Sequence, residues 1–228
     1  MSELRAVLFD VDFTLVRPGP ELGPEGYRRA GERHGLELDP SLYDEARSRA
    51  LEDLQAHPEL EHDEEIWVAF TERIIRGMGG EASTAHDAAI EITHGWGVHR
   101  NFELYDDVLP VLEELRRHRL KLGLVSNTSR DLPEFVAHHR LDVDAMVASG
   151  AHGWTKPHRS IFEAALRELG ARPEEAAMVG DSPQDDVEGA QALGMRAFLL
   201  DRDDRFPEAP GRLTDLRELP AALGLPPA

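Results

Sequence analysis

The sequence predicts an α/β protein: an open parallel sheet with helices on both faces, broken after its first strand by a helical insertion. Three observations carry this. Short apolar and β-branched runs recur along the 228 residues, helical patterns lie between them, and from about Val16 to Leu104 the strand-like runs stop while the helical patterns continue.

The first run, AVLF, ends at Phe9 and is apolar throughout, as a strand buried on both faces must be. The insertion follows. Its entry, RPGPELGPEG, and its exit near GWGVHRNFEL have the Pro and Gly content of linkers. Its clearest helix carries Ile66, Trp67, Phe70, Ile74, Ile75 and Met78, with Trp67 and Phe70 expected in the insertion's own core. Beyond it, Val108, Leu109, Leu112 and Leu115 mark a helix, and KLGLV a strand to Val125. Leu132, Phe135 and Val136 mark the next helix, and AMVAS a strand to Ser149. Ile161, Phe162, Ala165, Leu166 and Leu169 then precede AAMVG, a strand to Gly180, while Val187, Ala190 and Leu193 precede RAFLL, a strand to Leu200. The expected boundaries are residues 1–16 with 104–228 for the sheet and 17–103 for the helical part.

The 44 acidic residues outnumber the 25 basic ones, and the formal net charge of −19 repels phosphate backbones and anionic membrane surfaces. Nucleic acid and membrane are therefore not expected partners. The absence of cysteine excludes disulfides, thiol nucleophiles and thiolate metal sites, and suits a cytoplasmic chain. No signal-peptide core precedes Asp10, and no apolar stretch has the length of a membrane span. The only lysines are Lys121 and Lys156, so a lysine near a functional position is informative.

In open α/β sheets ligands sit outside the carboxyl ends of the strands. Asp10 ends the first expected strand, Ser126 and Asn127 the second, Lys156 follows the third and Asp181 ends the fourth. Two carboxylates about 4 Å apart repel by roughly 4 kcal/mol at an effective dielectric of about 20, so Asp10 and Asp12 call for a cation. Hard oxygen donors on loops suit Mg²⁺ better than zinc. Lys156 and the Ser126 hydroxyl can then take further phosphate oxygens. Without cysteine the expected nucleophile is a carboxylate that forms an aspartyl-phosphate, and spacing leaves both Asp10 and Asp12 open for that part.

Four stretches resemble, in order, the motifs of the haloacid dehalogenase-like (HAD) hydrolases: DVDFT at 10–14, VSNTS at 125–129, GWTKPHRSIF at 153–162 and VGDSPQDDVEGAQALGM at 179–195. The insertion lies where one subclass of that family carries a helical cap. The resemblance implies a Rossmann-like core and a Mg²⁺-dependent phosphatase acting on a small phosphorylated metabolite. Asp10 would be the nucleophile, and Asp12 the general acid and base that also offers its backbone carbonyl to the metal. Asp181 and Asp186 would be further metal ligands, with Asp185 and Thr14 in support, while Ser126 and Lys156, with Asn127 beside them, would hold the phosphoryl group. Two positions depart from the family pattern. Phe13 replaces the common Gly, and Asp185-Asp186 the common Asn-Asp.

A phosphomutase shares the four motifs and differs only in the fate of the aspartyl-phosphate; a non-catalytic binding protein is the other alternative. A dehalogenase usually lacks the second Asp, and a phosphonate hydrolase of this family needs a cap lysine, which residues 16–104 do not contain. His57, His62, His86, His94 and His99 form no convincing ligand pair and read as solvated surface. Arg17, His99 and Arg100, near the linkers, are candidates for facing the substrate.

Overall fold

The computed structural model describes residues 3–55, 61–80 and 83–226. In chain order the strands and α-helices are β1 (Ala6–Phe9), β2 (Val16–Pro18), α1 (Pro24–Arg33), α2 (Tyr43–Gln55), α3 (Glu64–Gly77), α4 (Ala85–Trp96), β3 (Phe102–Leu104), α5 (Val108–Arg117) and β4 (Lys121–Ser126). They continue with α6 (Leu132–His139), β5 (Ala145–Ala148), α7 (Ser149–His152), α8 (Arg159–Leu169), β6 (Ala176–Gly180), α9 (Gly189–Gln191), β7 (Arg196–Leu199) and α10 (Leu219–Ala222). The chain divides into two compact units, Met1–Arg17 with Leu104–Ala228, and Pro18–Glu103.

The first unit is built on a five-stranded parallel sheet of order β5-β4-β1-β6-β7. The expected strands all form, and β1 is central, with Phe9 in register with Leu124 on one side and Val179 on the other. Every residue of β1 is fully buried. Ala6 and Leu8 share a core with Ile161, Phe162, Leu166 and Leu169 of α8, and strand alternation sends Val7 and Phe9 to the opposite face. Helix α8 starts where the His158 ring accepts from the Ser160 amide, buries one apolar stripe, and stops at the left-handed Gly170.

Three local expectations are corrected. Leu109 is 48% exposed, because α5 turns Val108, Val111, Leu112 and Leu115 inward instead. The helix expected around Val187 is a π-helical turn, Pro183–Glu188, followed by the single turn of α9. Here the Ser182 hydroxyl accepts from the Asp185 amide while the Asp186 carboxylate folds back onto the Ser182 amide, which widens the turn. The ends of the strand-poor interval carry β2 and β3, which pair with each other. At three residues each, they are too short to show a periodicity.

The second unit is helical. In it α3 packs against both α2 and α4, and α1 packs against α4. Tyr27, Leu38, Tyr43, Ile74, Ile75 and Met78 lie in its apolar core, where the two tyrosine rings meet edge to face at 5.1 Å. Phe70 packs on that core, and the half-buried Trp67 meets Phe70 edge to face at 6.3 Å. Helix α3 is capped by Asp63, whose carboxylate accepts from the Glu65 amide. Among the described residues no helix is long and apolar enough to cross a membrane.

Candidate active site

Parallel pairing brings the carboxyl ends of β1, β4 and β6 together, and the polar side chains gather there. The Asp10 amide still donates to the Val179 carbonyl, 2.9 Å away, so the residue is held in the sheet although its strand has ended. Immediately afterwards the chain turns, with the amides of Leu15 and Val16 both donating to the Val11 carbonyl. Phe13 lies in this turn with φ +63°, a left-handed conformation in which a side chain costs about 1–2 kcal/mol. That geometry accounts for the preference for Gly at this position, and this chain bears the strain with Phe.

Lys156, 3% exposed and in the loop before α8, donates to Asp10 Oδ1 at 2.6 Å and to Asp186 Oδ1 at 2.7 Å. Asn127 fixes that loop: its Oδ1 accepts from the Lys156 amide at 2.7 Å and its Nδ2 donates to the Lys156 carbonyl at 3.2 Å. The Asn127 side chain is thus engaged at both ends with the backbone of Lys156. Ser126 ends β4 and is buried beside it. Burial opposes the charge on Lys156, but Asp10 and Asp186 outweigh it and hold the ammonium above the ordinary lysine range.

Carboxylate oxygens of Asp10, Asp181 and Asp186 lie within 4.8 Å of one another, the one group of this kind among the described residues. Asp185 is not part of it. The Asp186 carboxylate, accepting from Lys156 and from the Ser182 amide, packs flat against Gly180, where a Cβ would stand 2.1 Å from its Oδ2. Gly180 is therefore a requirement of the site.

Burial pushes Asp181 up to about 6, helped by Asp10 and opposed by Arg205. Burial likewise pushes Asp185 up to about 6. Asp186 is also raised, by burial and then by its acidic neighbours, with Lys156 opposing. Three close hard-oxygen donors, all largely removed from water, fit a divalent cation.

The Asp12 side chain lies outside that group and accepts from Arg130 Nη2 at 2.9 Å. Burial raises its pKa, and Asp10 adds to the rise that Arg130 opposes. Thr14 is fully buried, and its hydroxyl has no hydrogen-bond partner among the described residues. Its carbonyl accepts from Arg202 Nη2 at 2.9 Å.

Of the other candidates, Arg17 has its guanidinium 5.9 Å from the centre of the Tyr105 ring, and His99 and Arg100 lie in a 3₁₀ turn of the helical unit. His86 pairs with Glu72 at 3.0 Å, His94 is exposed, His62 is half-buried, and His57 is outside the described residues.

Residues 4–194 match the family described as haloacid dehalogenase-like hydrolase. The chain belongs to that family. It is 34% identical to a phosphoserine phosphatase from Thermus thermophilus, with 94% of this chain and 95% of the relative covered. It is 32% identical to a glyceraldehyde 3-phosphate phosphatase from Methanopyrus kandleri, over 87% and 84% of the two chains. Among solved structures, a HAD phosphatase from Thermococcus onnurineus superposes with a TM-score of 0.66 at 27% identity, covering 97% of this chain and 98% of that one.

Three arginines of this HAD-like hydrolase escape a reading of its motifs. Arg130 holds Asp12. Arg205 Nη2 donates to Asp181 Oδ2 at 2.7 Å and to its carbonyl at 3.1 Å. Arg202 binds the Thr14 carbonyl and both oxygens of the buried Asp107, with its guanidinium 3.9 Å from the centre of the Tyr105 ring. The loop behind β7 is pinned by Asp201, which accepts from the amides of Arg205 and Phe206 and from Arg212. The strand-end rule had a signal for two of these: applied to the fifth strand, it points to the loop that carries Arg202 and Arg205.

Proposed function

We propose that this enzyme is a cytoplasmic, Mg²⁺-dependent phosphatase of small phosphomonoesters that works through an aspartyl-phosphate on Asp10. The observation that carries the reading is the grouping of Asp10, Asp181 and Asp186, two of which hold the Lys156 ammonium, with a separately held Asp12 two residues after Asp10. The full-length similarity to phosphatases of two small metabolites supports it.

Asp10, Asp181, Asp186 and the Asp12 carbonyl would hold the cation, which supplies charge neutralisation for an incoming phosphate. An Asp10 carboxylate oxygen attacks phosphorus, the bond from phosphorus to the ester oxygen breaks, and Asp12 gives its proton to the leaving alkoxide. Water then attacks the phosphorylated Asp10, Asp12 takes the proton, and orthophosphate leaves with the Asp10 carboxylate restored. The raised pKa of Asp12 suits a group that must first carry that proton. Lys156 and Ser126 bind phosphoryl oxygens, and Asn127 keeps Lys156 in place. In the same reading residues 17–103 are the cap, and choice of leaving group is their part.

The test is phosphate release from a panel of phosphorylated metabolites, with phosphoserine and glyceraldehyde 3-phosphate included, in Mg²⁺ and in EDTA. Turnover in Mg²⁺ that EDTA abolishes is expected. No release from any ester removes the phosphatase reading, and release that survives complete metal removal removes the Mg²⁺ assignment.

A further inference from the structure

The opposite edge of the same sheet carries the reverse charge. A cavity of about 280 Å³ opens there, lined by Glu3, Leu4, Arg5, His118, Arg119, Lys121 and Leu169. Arg5 immediately precedes β1 and Lys121 opens β4, and the Lys121 amide donates to the Arg5 carbonyl at 2.9 Å, which brings the two cations to one place at the amino ends of the strands.

The setting is unusual for a chain of net charge −19. Residues 116–121 read RRHRLK, with one of only two lysines at the end. Arg116 is neutralised by Asp142 and Asp144. Arg119 and Lys121, by contrast, have no carboxylate within ion-pair distance among the described residues, and Arg5 reaches Glu175 only at 3.8 Å while Arg172 binds Glu175 at 2.9 Å. Three permanent cations therefore face the single lining carboxylate of Glu3.

One of the cations is also fixed in place. Lys121 Nζ donates to the Leu169 carbonyl at 2.7 Å, which positions the ammonium and leaves two N–H donors. Arg119 follows the end of α5 with φ +60°, in a turn closed by the Leu120 amide on the Leu115 carbonyl. Glycine is the favoured residue in that turn, so an arginine there is strained. His118 lines the same cavity, and its Nε2 is buried with no hydrogen-bond partner among the described residues.

We propose that this cavity binds a small phosphate-bearing anion, at the sheet edge opposite Asp10. An anchored ammonium beside two guanidinium donors on a concave surface recognises phosphate oxygens through charge-assisted hydrogen bonds. The ligand is either inorganic phosphate itself or a phosphorylated metabolite, both of which present the same dianionic group.

Metal-free protein separates this site from the catalytic edge, where the four carboxylates of Asp10, Asp12, Asp181 and Asp186 outnumber the three cations paired with them and disfavour phosphate. Calorimetric titration of EDTA-treated protein with inorganic phosphate, against chloride at equal ionic strength, is expected to show one saturable site per chain and a rise in Tm. A parallel titration with glycerol 1-phosphate distinguishes the sources: tighter binding of the ester assigns the site to a metabolite, equal binding to phosphate itself. The double variant Arg119→Gly with Lys121→Met should bind at least about tenfold more weakly. Because Gly suits the left-handed turn, Arg119→Gly alone should fold with an unchanged or higher Tm and still bind more weakly. No saturable binding to the native chain, or unchanged binding in the folded double variant, overturns the proposal.

Discussion

The α/β unit almost completely buries Asp10, Asp107, Arg130, Lys156, Asp186 and Asp201, whereas the buried polar side chain described in the helical unit is the uncharged Thr71. Charges of the helical unit pair near the surface, as Glu72 does with Arg76 one turn on and Arg33 with Glu91. A buried charge is costly unless it is paired and hydrogen-bonded. Each buried charge of the α/β unit has such a partner, whereas the helical unit is held by apolar packing. The difference places the sensitivity to single polar substitutions in the first unit, which also carries the proposed chemistry.

The largest expected effect tests that placement directly. Asp10→Asn should reduce phosphate release by more than about a thousandfold in a chain whose circular dichroism stays native, even as loss of the Lys156 partner lowers Tm. A variant that keeps substantial turnover removes Asp10 as nucleophile and with it the chemical half of the contrast.

Next comes a buried charge away from the carboxylate group. Burial opposes ionisation of Asp107, but Arg202 and the Leu216 amide outweigh it and hold the carboxyl below the usual range. A lowered carboxyl pKa stabilises the fold above the ordinary value of about 4, and that contribution is lost as pH falls through the lowered value. Asp107→Asn should therefore cost about 3 kcal/mol at neutral pH by denaturant unfolding, with the gap to native protein narrowing in acid. A gap independent of pH would mean that shape, rather than charge, is what Asp107 contributes.

Gly180→Ala ranks third. The new methyl must displace the Asp186 carboxylate or shift β6, costing about 1–3 kcal/mol and weakening metal binding measured by calorimetry. Native metal affinity in this variant would show that Asp186 is dispensable. The smallest effect belongs to the helical unit: Glu72→Gln, which loses pairs to Arg76 and His86, should change stability by less than about 0.5 kcal/mol. A larger loss would erase the distinction between the units.

The sheet was legible because buried parallel strands are short unbroken apolar runs, and the carboxyl-edge residues were legible because the strands of such a sheet all end at the same edge. Lys156 stood out because lysine is nearly absent from the chain. Arg130, Arg202 and Arg205 did not, since arginine is abundant and their partners Asp12, Thr14 and Asp181 are fixed by folding rather than by sequence spacing. Asp186 was preferred to Asp185 as a metal ligand only through the family resemblance. The π-helical turn separates them, bringing only Asp186 into the carboxylate group with Asp10 and Asp181. Phe13 looked anomalous until its backbone angle showed what the position demands.

The amide of Asp10, bonded to Val179 beside a strand flanked on both sides, has a consequence for how the enzyme fails. Amides at the centre of a sheet exchange with solvent only when the whole domain opens, whereas those at surface turns exchange through local fraying. Deuterium should enter Asp10 as slowly as it enters any residue of the protein. Heat would then inactivate this centre together with global unfolding rather than ahead of it.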